Sequence, residues 1–382
     1  MRNSAFAQRI GFAFVLVLLT ACLASAQQQP AAGRTAEQQY KNIKVLNGTP
    51  VDQFMPSMRL MNTSLGVSCE HCHVADKEED DSKKEKQTAR DMITMVLDIN
   101  KKSFGGRTQV TCYTCHLGGT NPGAVPPLAG PNDTIFAELY EEPTRPTNLP
   151  TADQIFAKYV DALGGEQALR KVTNRQVTIV ADMPSGPREE PRTVGQIEQY
   201  QKAPNMNVVV TKLPTGATTA TGFNGTAAWN QNAQGRVTPV TGLDLDRAKR
   251  DADLYMPLNL KQIYPRLVVR GTERVGDRDA YVVFGTPQGD SAERLYFDTQ
   301  TGLLLRRVTT VPTPVGANPT KIDYDNYRDV GDGTKYPYLI RITAVTTRRT
   351  YFVQKVEDNG AIDAAKFAMP ASTPAPAQQP AR

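Results

Sequence analysis

Cys69-Glu70-His71-Cys72-His73 and Cys112-Tyr113-Thr114-Cys115-His116 are the two stretches that decide how this chain is read. Each is Cys-x-x-Cys-His, the attachment signature of a c-type haem. The spacing follows from chemistry. Two thiols add across the two vinyl groups of one porphyrin, and the residue after the second cysteine offers an imidazole to the iron. A group held covalently is not lost to dilute extracytoplasmic space. The chain has five cysteines and three histidines, and the two motifs contain four of the first and all of the second. A tetrahedral zinc site would leave no reason for His73 and His116 to follow their cysteines immediately. The remaining cysteine, Cys22, cannot build a disulfide framework.

Outward from the motifs, one unit is used twice: a methionine-bearing helix, a loop, then Cys-x-x-Cys-His. In the first unit, Thr49-Pro50-Val51-Asp52 starts a helix with a cap, an N1 proline and a capping acid. Met55, Met58 and Met61 follow at spacings of three, on roughly one face. Pro56 is expected to kink or restart this helix. In the second unit, Lys86 to Asn100 is periodic, with Met92, Met95 and Ile99 on one side.

With His73 and His116 as proximal ligands, only His71 is left. Its short tether to the same haem makes distal ligation of that haem geometrically difficult, and it reads as a solvated residue or a neighbour of a haem propionate. Bis-histidine ligation of both haems is therefore excluded within one chain. Methionine is the remaining common axial ligand, and His/Met coordination raises the reduction potential and favours electron transfer over oxygen chemistry. Methionine is also a core filler, so the two clusters leave the individual ligands open.

Tyr40-Lys-Asn-Ile-Lys-Val-Leu-Asn-Gly48 and Gln53-Phe-Met-Pro-Ser-Met58 resemble the cytochrome c subunit of photosynthetic reaction centres. So do Ala89-Arg-Asp-Met92-Ile-Thr-Met95, Ile99-Asn100 and Val110-Thr-Cys-Tyr-Thr-Cys-His-Leu-Gly118. In that family each helix supplies a methionine to the haem attached just downstream. By position the resemblance implies Met58 for the haem on Cys69 and Cys72, and Met92 for the haem on Cys112 and Cys115. Met61 and Met95 are their nearest rivals. That family's subunit is tetrahaem and this chain has two motifs, so half of it is matched and a photosynthetic partner is not implied.

The first 26 residues read as an export signal, with Arg2 and Arg9 before the short apolar stretch Ile10 to Leu19. Ala24-Ser25-Ala26 offers a cleavage site. Leu19-Thr20-Ala21-Cys22 alternatively resembles a bacterial lipobox, and the odd cysteine sits where lipidation needs it. Either exit places the chain in the periplasm, with membrane attachment only through such a lipid anchor. The net charge of +5, reduced by two if the leader is removed, is too mild to imply nucleic acid.

The remaining expectations concern organisation. Residues 27–38 read as a tether, 39–120 as the dihaem domain, 121–150 as a proline-rich linker, 151–370 as a β-rich domain and 371–382 as a disordered tail. Thr151 to Leu163 is a helix, capped by Thr151 and Gln154 and stopped by Gly164-Gly165. Six β-branched and aromatic runs follow, near residues 176, 207, 267, 280, 294 and 338. Turn signals separate them: Asn224-Gly225, Gly276-Asp277, Thr301-Gly302, Gly331-Asp332-Gly333 and Asn359-Gly360. A charged, helix-compatible segment at about 243–263 interrupts the series. The fold class is α+β: a small, mainly helical dihaem domain plus a curved, half-barrel-like antiparallel sheet with one or two helices. Ala162-Leu-Gly-Gly-Glu-Gln-Ala-Leu169 and Glu198-Gln-Tyr-Gln-Lys-Ala-Pro204 resemble in texture the periplasmic lipoprotein-carrier fold, which implies an apolar concavity.

Several chemistries lack their residues. There is no Gly-x-x-x-x-Gly-Lys-Ser/Thr, no Gly-x-Ser-x-Gly, and no histidine beyond residue 116, which removes His-dependent triads from the β-rich region. The run Glu78-Glu-Asp-Asp-Ser-Lys-Lys-Glu-Lys86 reads as a solvated charged loop. Trp229, the only tryptophan, reads as core or rim. The expectation is an exported cytochrome with two covalently attached haem c groups, exchanging single electrons with redox proteins or a membrane electron-transfer complex. The alternatives are a peroxidase-like haem enzyme with one open iron, and a lipid- or quinone-binding protein acting through the β-rich domain.

Overall fold

The computed structural model describes residues 34–122, 148–184, 191–213, 215–331 and 333–371. The leader with Cys22, most of the tether and of the linker, and nearly all of the tail lie outside these residues. Among the described residues, no helix is long and apolar enough to cross a membrane.

The N-terminal part contains α1 (Ala36–Gln39), α2 (Val51–Leu65), a 3-10 turn (Cys69–His71), α3 (Lys84–Phe104) and α4 (Cys112–His116). Within the stretch read from sequence as a tether, Thr35 bridges to Pro50 and Ala36 is buried. Helix α2 begins one residue later than its sequence signal suggests, with Pro50 as N-cap. It also runs through Pro56 as one continuous helix, without the restart that is one of the two expectations there. Proline removes one N–H and therefore one backbone bond. The Pro56 carbonyl, in turn, accepts a hydrogen bond from Asn318 Nδ2 at 2.9 Å. Helix α3 outruns its expected bounds at both ends and closes on Gly105, whose φ of 60° suits a left-handed C-cap.

Next come α5 (Ala152–Ala162) and α6 (Glu166–Lys171). Helix α5 is capped as expected: Thr151 Oγ1 accepts from Gln154 N, and Gly164 and Gly165 end it with positive φ. Then β1 (Asn174–Pro184), β2 (Pro191–Lys202), β3 (Met206–Lys212), β4 (Thr218–Asn224), β5 (Ala228–Gln231) and β6 (Val237–Val240) pair in sequence order. The segment 243–263 is two helices, α7 (Gly242–Asp251) and α8 (Met256–Ile263). The chain returns through β7 (Arg266–Val275), β8 (Arg278–Thr286), β9 (Glu293–Asp298), β10 (Leu304–Thr313), β11 (Gly316–Asp329), β12 (Lys335–Ala344) and β13 (Arg348–Asp358).

All thirteen strands form one open antiparallel sheet, ordered 6-5-4-3-2-1-13-12-11-10-9-8-7. Strand β1 pairs with β13 at the centre, from Arg175 opposite Asp358 to Asp182 opposite Thr350. Strands β6 and β7 are the edges, so α7 and α8 carry the chain from one edge to the other. The expected α+β class with an antiparallel sheet is the architecture observed, with four helices, α5 to α8, in the described sheet region where one or two are expected. The six apolar runs all lie in strands, and the turn signals lie at strand ends. Strands β4, β5, β10, β11 and β13 carry Thr, Arg, Asn or Gln at many positions and β6 is only four residues long, which hid them from an apolar-run reading; β2 contains the Glu198-Gln-Tyr-Gln-Lys stretch read as a strand.

The main sheet core joins Ile155, Phe156 and Tyr159 of α5 and its C-cap Leu163 to Leu260 of α8 and to Val283, Leu295, Phe297 and Leu304. Phe297 sits between Phe156 and Tyr159, with ring centroids 5.6 and 5.2 Å apart. Burying each such side chain contributes about 1.5–3 kcal/mol. Glu293 is buried there as a paired charge, accepting from Arg307 Nε at 2.7 Å and Tyr264 Oη at 2.7 Å. Trp229 is a core residue, packed against Tyr200, Val208 and Phe367, with its indole filling the space beside Gly222.

Candidate functional site

Both Cys-x-x-Cys-His motifs fold as short helical turns, which brings each cysteine pair to one side. Cys69 to His71 is a 3-10 turn, closed by the His73 N–H donating to Cys69 O at 3.0 Å. Cys112 to His116 is one turn of α-helix with a capping box between Thr111 and Thr114. The four cysteines are unbridged thiols. Burial pushes the Cys72 and Cys112 thiols up.

The two histidines share one arrangement. His73 Nδ1 lies 3.0 Å from Glu78 O, and His116 Nδ1 lies 3.0 Å from Gly119 O. A carbonyl can only accept, so Nδ1 carries the proton and Nε2 is the lone-pair nitrogen. Each ring is thus oriented by a backbone carbonyl shortly after its motif. His71 is exposed.

The methionines separate by environment. Met61 is 9% exposed and belongs to a core with Ala36, Leu46, Phe54, Leu60, Ile93 and Val315. Met58 is half-buried at the edge of that core. It shares a helix face with Asn62, four residues on, and Asn62 Nδ2 donates to Cys69 Sγ at 3.2 Å. The Met58 face of α2 therefore meets the first motif. Met92 and Met95 are 38% and 43% exposed, and Met55 is 41% exposed. Tyr113 and Leu117 of the second motif are likewise exposed.

The acidic run is an exposed loop, as expected, but Asp81 within it is held by several partners and Lys86 at its end is buried. Asp81 accepts from Arg90 Nη2 at 2.9 Å, Lys44 Nζ at 2.7 Å and Asn42 Nδ2 at 2.9 Å, and Lys86 Nζ lies 3.0 Å away. Arg90, Lys44, Asn42 and Lys86 hold its carboxyl far below the usual carboxylate range. Lys86 and Arg90 are themselves buried. Lys86 Nζ also donates to Glu78 O and Asp80 O, both at 2.8 Å, and Glu78 O is the carbonyl that orients His73. The signal in the sequence was Lys86 and Arg90, four residues apart on one face of α3, following four consecutive acids.

Asn100 does comparable work in the second unit. Buried at the end of α3, it accepts from Gln109 N at 3.0 Å and Val110 N at 2.9 Å and donates to Val110 O at 2.7 Å. These bonds lock the loop that leads into Cys112. The two units touch at Gly66, where Gly118 O occupies the space of any side chain, and Gly118 N donates to Ser64 O at 2.9 Å.

Cavities lie in the described part of the sheet region. One, of about 370 Å3, lies between β4–β6 and α7 and is lined by Phe223, Asn230, Asp244 and Arg247. Another, of about 170 Å3, is lined by Tyr159, Tyr324, Tyr327, Tyr336 and Arg175. Burial pushes the Tyr324 hydroxyl up to about 12. This second cavity is smaller than the roughly 300–1,000 Å3 of a typical small-molecule site.

Residues 18–144 match the family described as photosynthetic reaction centre cytochrome C subunit. The photosynthetic reaction center cytochrome c subunit of Rubrivivax gelatinosus is 34% identical over 107 residues, covering 25% of this chain and 29% of that protein. The subunit of Thermochromatium tepidum is 35% identical over 100 residues, covering 24% of this chain and 25% of that protein. The match thus spans less than a third of either relative. Over the sheet region, a LolA superfamily protein from Nitrosomonas europaea aligns at 15% identity and a TM-score of 0.42, covering 58% of this chain and 99% of that one. A DUF1329 family protein from Desulfovibrio piger aligns at 12% identity and a TM-score of 0.43, covering 58% and 98%.

Proposed function

We propose that this chain is an exported dihaem c-type cytochrome that passes single electrons between redox proteins or to a membrane electron-transfer complex. The observation that carries the reading is the twofold histidine arrangement. Two rings, each directly after a cysteine pair, are each oriented through Nδ1 by a backbone carbonyl, which leaves Nε2 available to a metal. The donor set suits haem c, and the exposed Met92, Met95, Tyr113 and Leu117 offer apolar surface to a large flat group.

When bound, haem c supplies an iron that cycles between the ferric and ferrous states. The chain's residues do the rest. Cys69 and Cys72 tether one group, and Cys112 and Cys115 the other. His73 and His116 present Nε2, with each ring oriented by the bond at Nδ1. Met58 and Met92 complete the two ligand sets, with thioethers that favour the reduced state. The dihaem domain extends over 39–120 and the β-rich domain over 151–370. A periplasmic location is supported by the leader and by the need for covalent haem attachment outside the cytoplasm. Cys22, the lipidation candidate, would supply the membrane anchor. The partner class is supported by the relatives, which are reaction centre subunits by name.

Intact mass spectrometry of the mature protein tests the reading. The expected mass carries two haem additions, and any acyl chain on Cys22 appears in the same spectrum. A mass without haem overturns it. High-spin iron that binds cyanide readily would move the assignment to the peroxidase-like alternative.

A further inference from the structure

The hairpin joining β10 and β11 turns through only two residues, Pro314 and Val315, since Thr313 pairs with Gly316. A valine at the tip of a two-residue turn is ordinarily solvated. Val315 is 0% exposed. It is buried in the core of the other part of the chain, among Leu46, Phe54, Leu60 and Met61. The next residue, Gly316, lies so close to Leu60 of α2 and Thr111 of α4 that a Cβ there would collide with Leu60. Its φ of +148° is also unsuited to a side chain. Asn318, two residues on, donates from Nδ2 to Pro56 O at 2.9 Å.

These contacts follow one stripe of α2. Gly242 of α7 approaches Asp52, with 3.9 Å from Asp52 Oδ2 to the position of a Cβ. Asn318 holds Pro56, Gly316 meets Leu60, and Thr63 Oγ1 donates to Val345 O at 3.3 Å just after β12. Residues 52, 56, 60 and 63 recur at helical spacing and share a face. Met58 lies midway between Pro56 and Leu60. Two residues turn an α-helix by about 200°, so Met58 is on the opposite side. The helix that needs this support is the one with an internal proline. Pro56 leaves the Asp52 carbonyl without its usual partner, and a 15-residue helix is marginal by itself.

We infer that the β10–β11 tip of the sheet is the seat of the methionine helix, with Val315, Gly316 and Asn318 as positioning residues that hold α2 so that Met58 faces the haem on Cys69 and Cys72. The inference rests on the dihaem reading above and gives the sheet a task within it. Ligand orientation by an outer layer of residues is what sets metal-site properties, and a loosely held helix would present its thioether over a range of positions.

The test uses the full-length holoprotein. Three readouts are taken: the near-infrared methionine–iron band of the ferric form, the two midpoint potentials, and amide exchange of α2 and α3. In Val315→Ala/Asn318→Ala, the band is expected to lose up to half its intensity. One potential should fall, the same one that Met58→Ala moves, while the other stays in place. Amides of α2 should exchange about tenfold faster, with α3 unchanged. The milder Thr63→Val should shift the same potential by less, and serves if the double variant does not fold. Faster α2 exchange with band and potentials intact would reduce the tip to a structural prop and overturn the inference. So would equal movement of both potentials. An unmutated protein without the band would instead refute methionine ligation itself, before any substitution is made.

Discussion

The two Cys-x-x-Cys-His units repeat one local plan but stand in different surroundings. The first helix, α2, contains a proline, is short, and rests along one face on the sheet. The second, α3, is a continuous 21-residue helix without proline, and its methionines lie at the surface. Its bracing is local: Arg90 and Lys86 at one end through Asp81, and Asn100 at the other through the loop before Cys112. One motif can thus be stabilised either by its own helix or by a distant hairpin. On the dihaem reading proposed above, the difference would place two irons in two environments, one way for such a protein to separate its potentials.

The comparison is broken most directly at the methionines. Met58→Ala and Met92→Ala should each remove the methionine–iron band from one haem and lower that haem's potential by on the order of 0.1 V, within the roughly 0.8 V spanned by axial ligation. Spectroelectrochemistry separates the two. Met61→Ala should leave both bands in place and cost about 2–5 kcal/mol in a denaturation experiment, as a large-to-small change in a packed core. If Met61→Ala erases a band instead, the division of roles along α2 is wrong.

Asn100→Ala comes next in size. It deletes three hydrogen bonds of a buried amide and should cost about 2–3 kcal/mol by urea denaturation, with local amide exchange rising around Gln109 and Val110. An unchanged midpoint would mean that the second unit is braced elsewhere.

Asp81→Asn is expected to have the smallest effect and to depend on pH. The native carboxyl is held far below its ordinary value of 3.8, so its ion pairs stabilise the fold above that value and lose their contribution as pH falls below it. The variant should melt below the native protein at neutral pH, and the gap should narrow as pH drops through the carboxylate range. A gap constant with pH would show that Asn42, Lys44, Lys86 and Arg90 gain nothing from the charge.

Sequence reading went furthest where chemistry depends on adjacent residues. Cysteine pairs, the histidines beside them, the caps of α5 and the turns at Asn224-Gly225 and Thr301-Gly302 are local, so their meaning survives without coordinates. The six apolar strands were legible for the same reason, because alternation within a strand is a local pattern. Most of the remaining strands were not, since their burial depends on which helix or neighbouring strand covers them. The continuity of α2 through Pro56 was missed because its support comes from Asn318, 262 positions away. Lys86 reads as part of a solvated charged run because nothing local tells a cation that Asp81 and the Glu78 carbonyl will accept from it.

The amino-acid sequence by itself determined the twofold attachment motif, the methionine helices ahead of each, and an antiparallel, hairpin-rich remainder. Those features rest on covalent spacing and on helix or strand periodicity, which act over a few residues. Only the tertiary structure decided which methionine is core and which faces a motif, which carbonyls orient His73 and His116, and that a valine at a hairpin tip in the sheet is buried beneath α2. Each of these depends on burial and on hydrogen-bond partners supplied from elsewhere in the chain, and such partners exist only once the chain has packed.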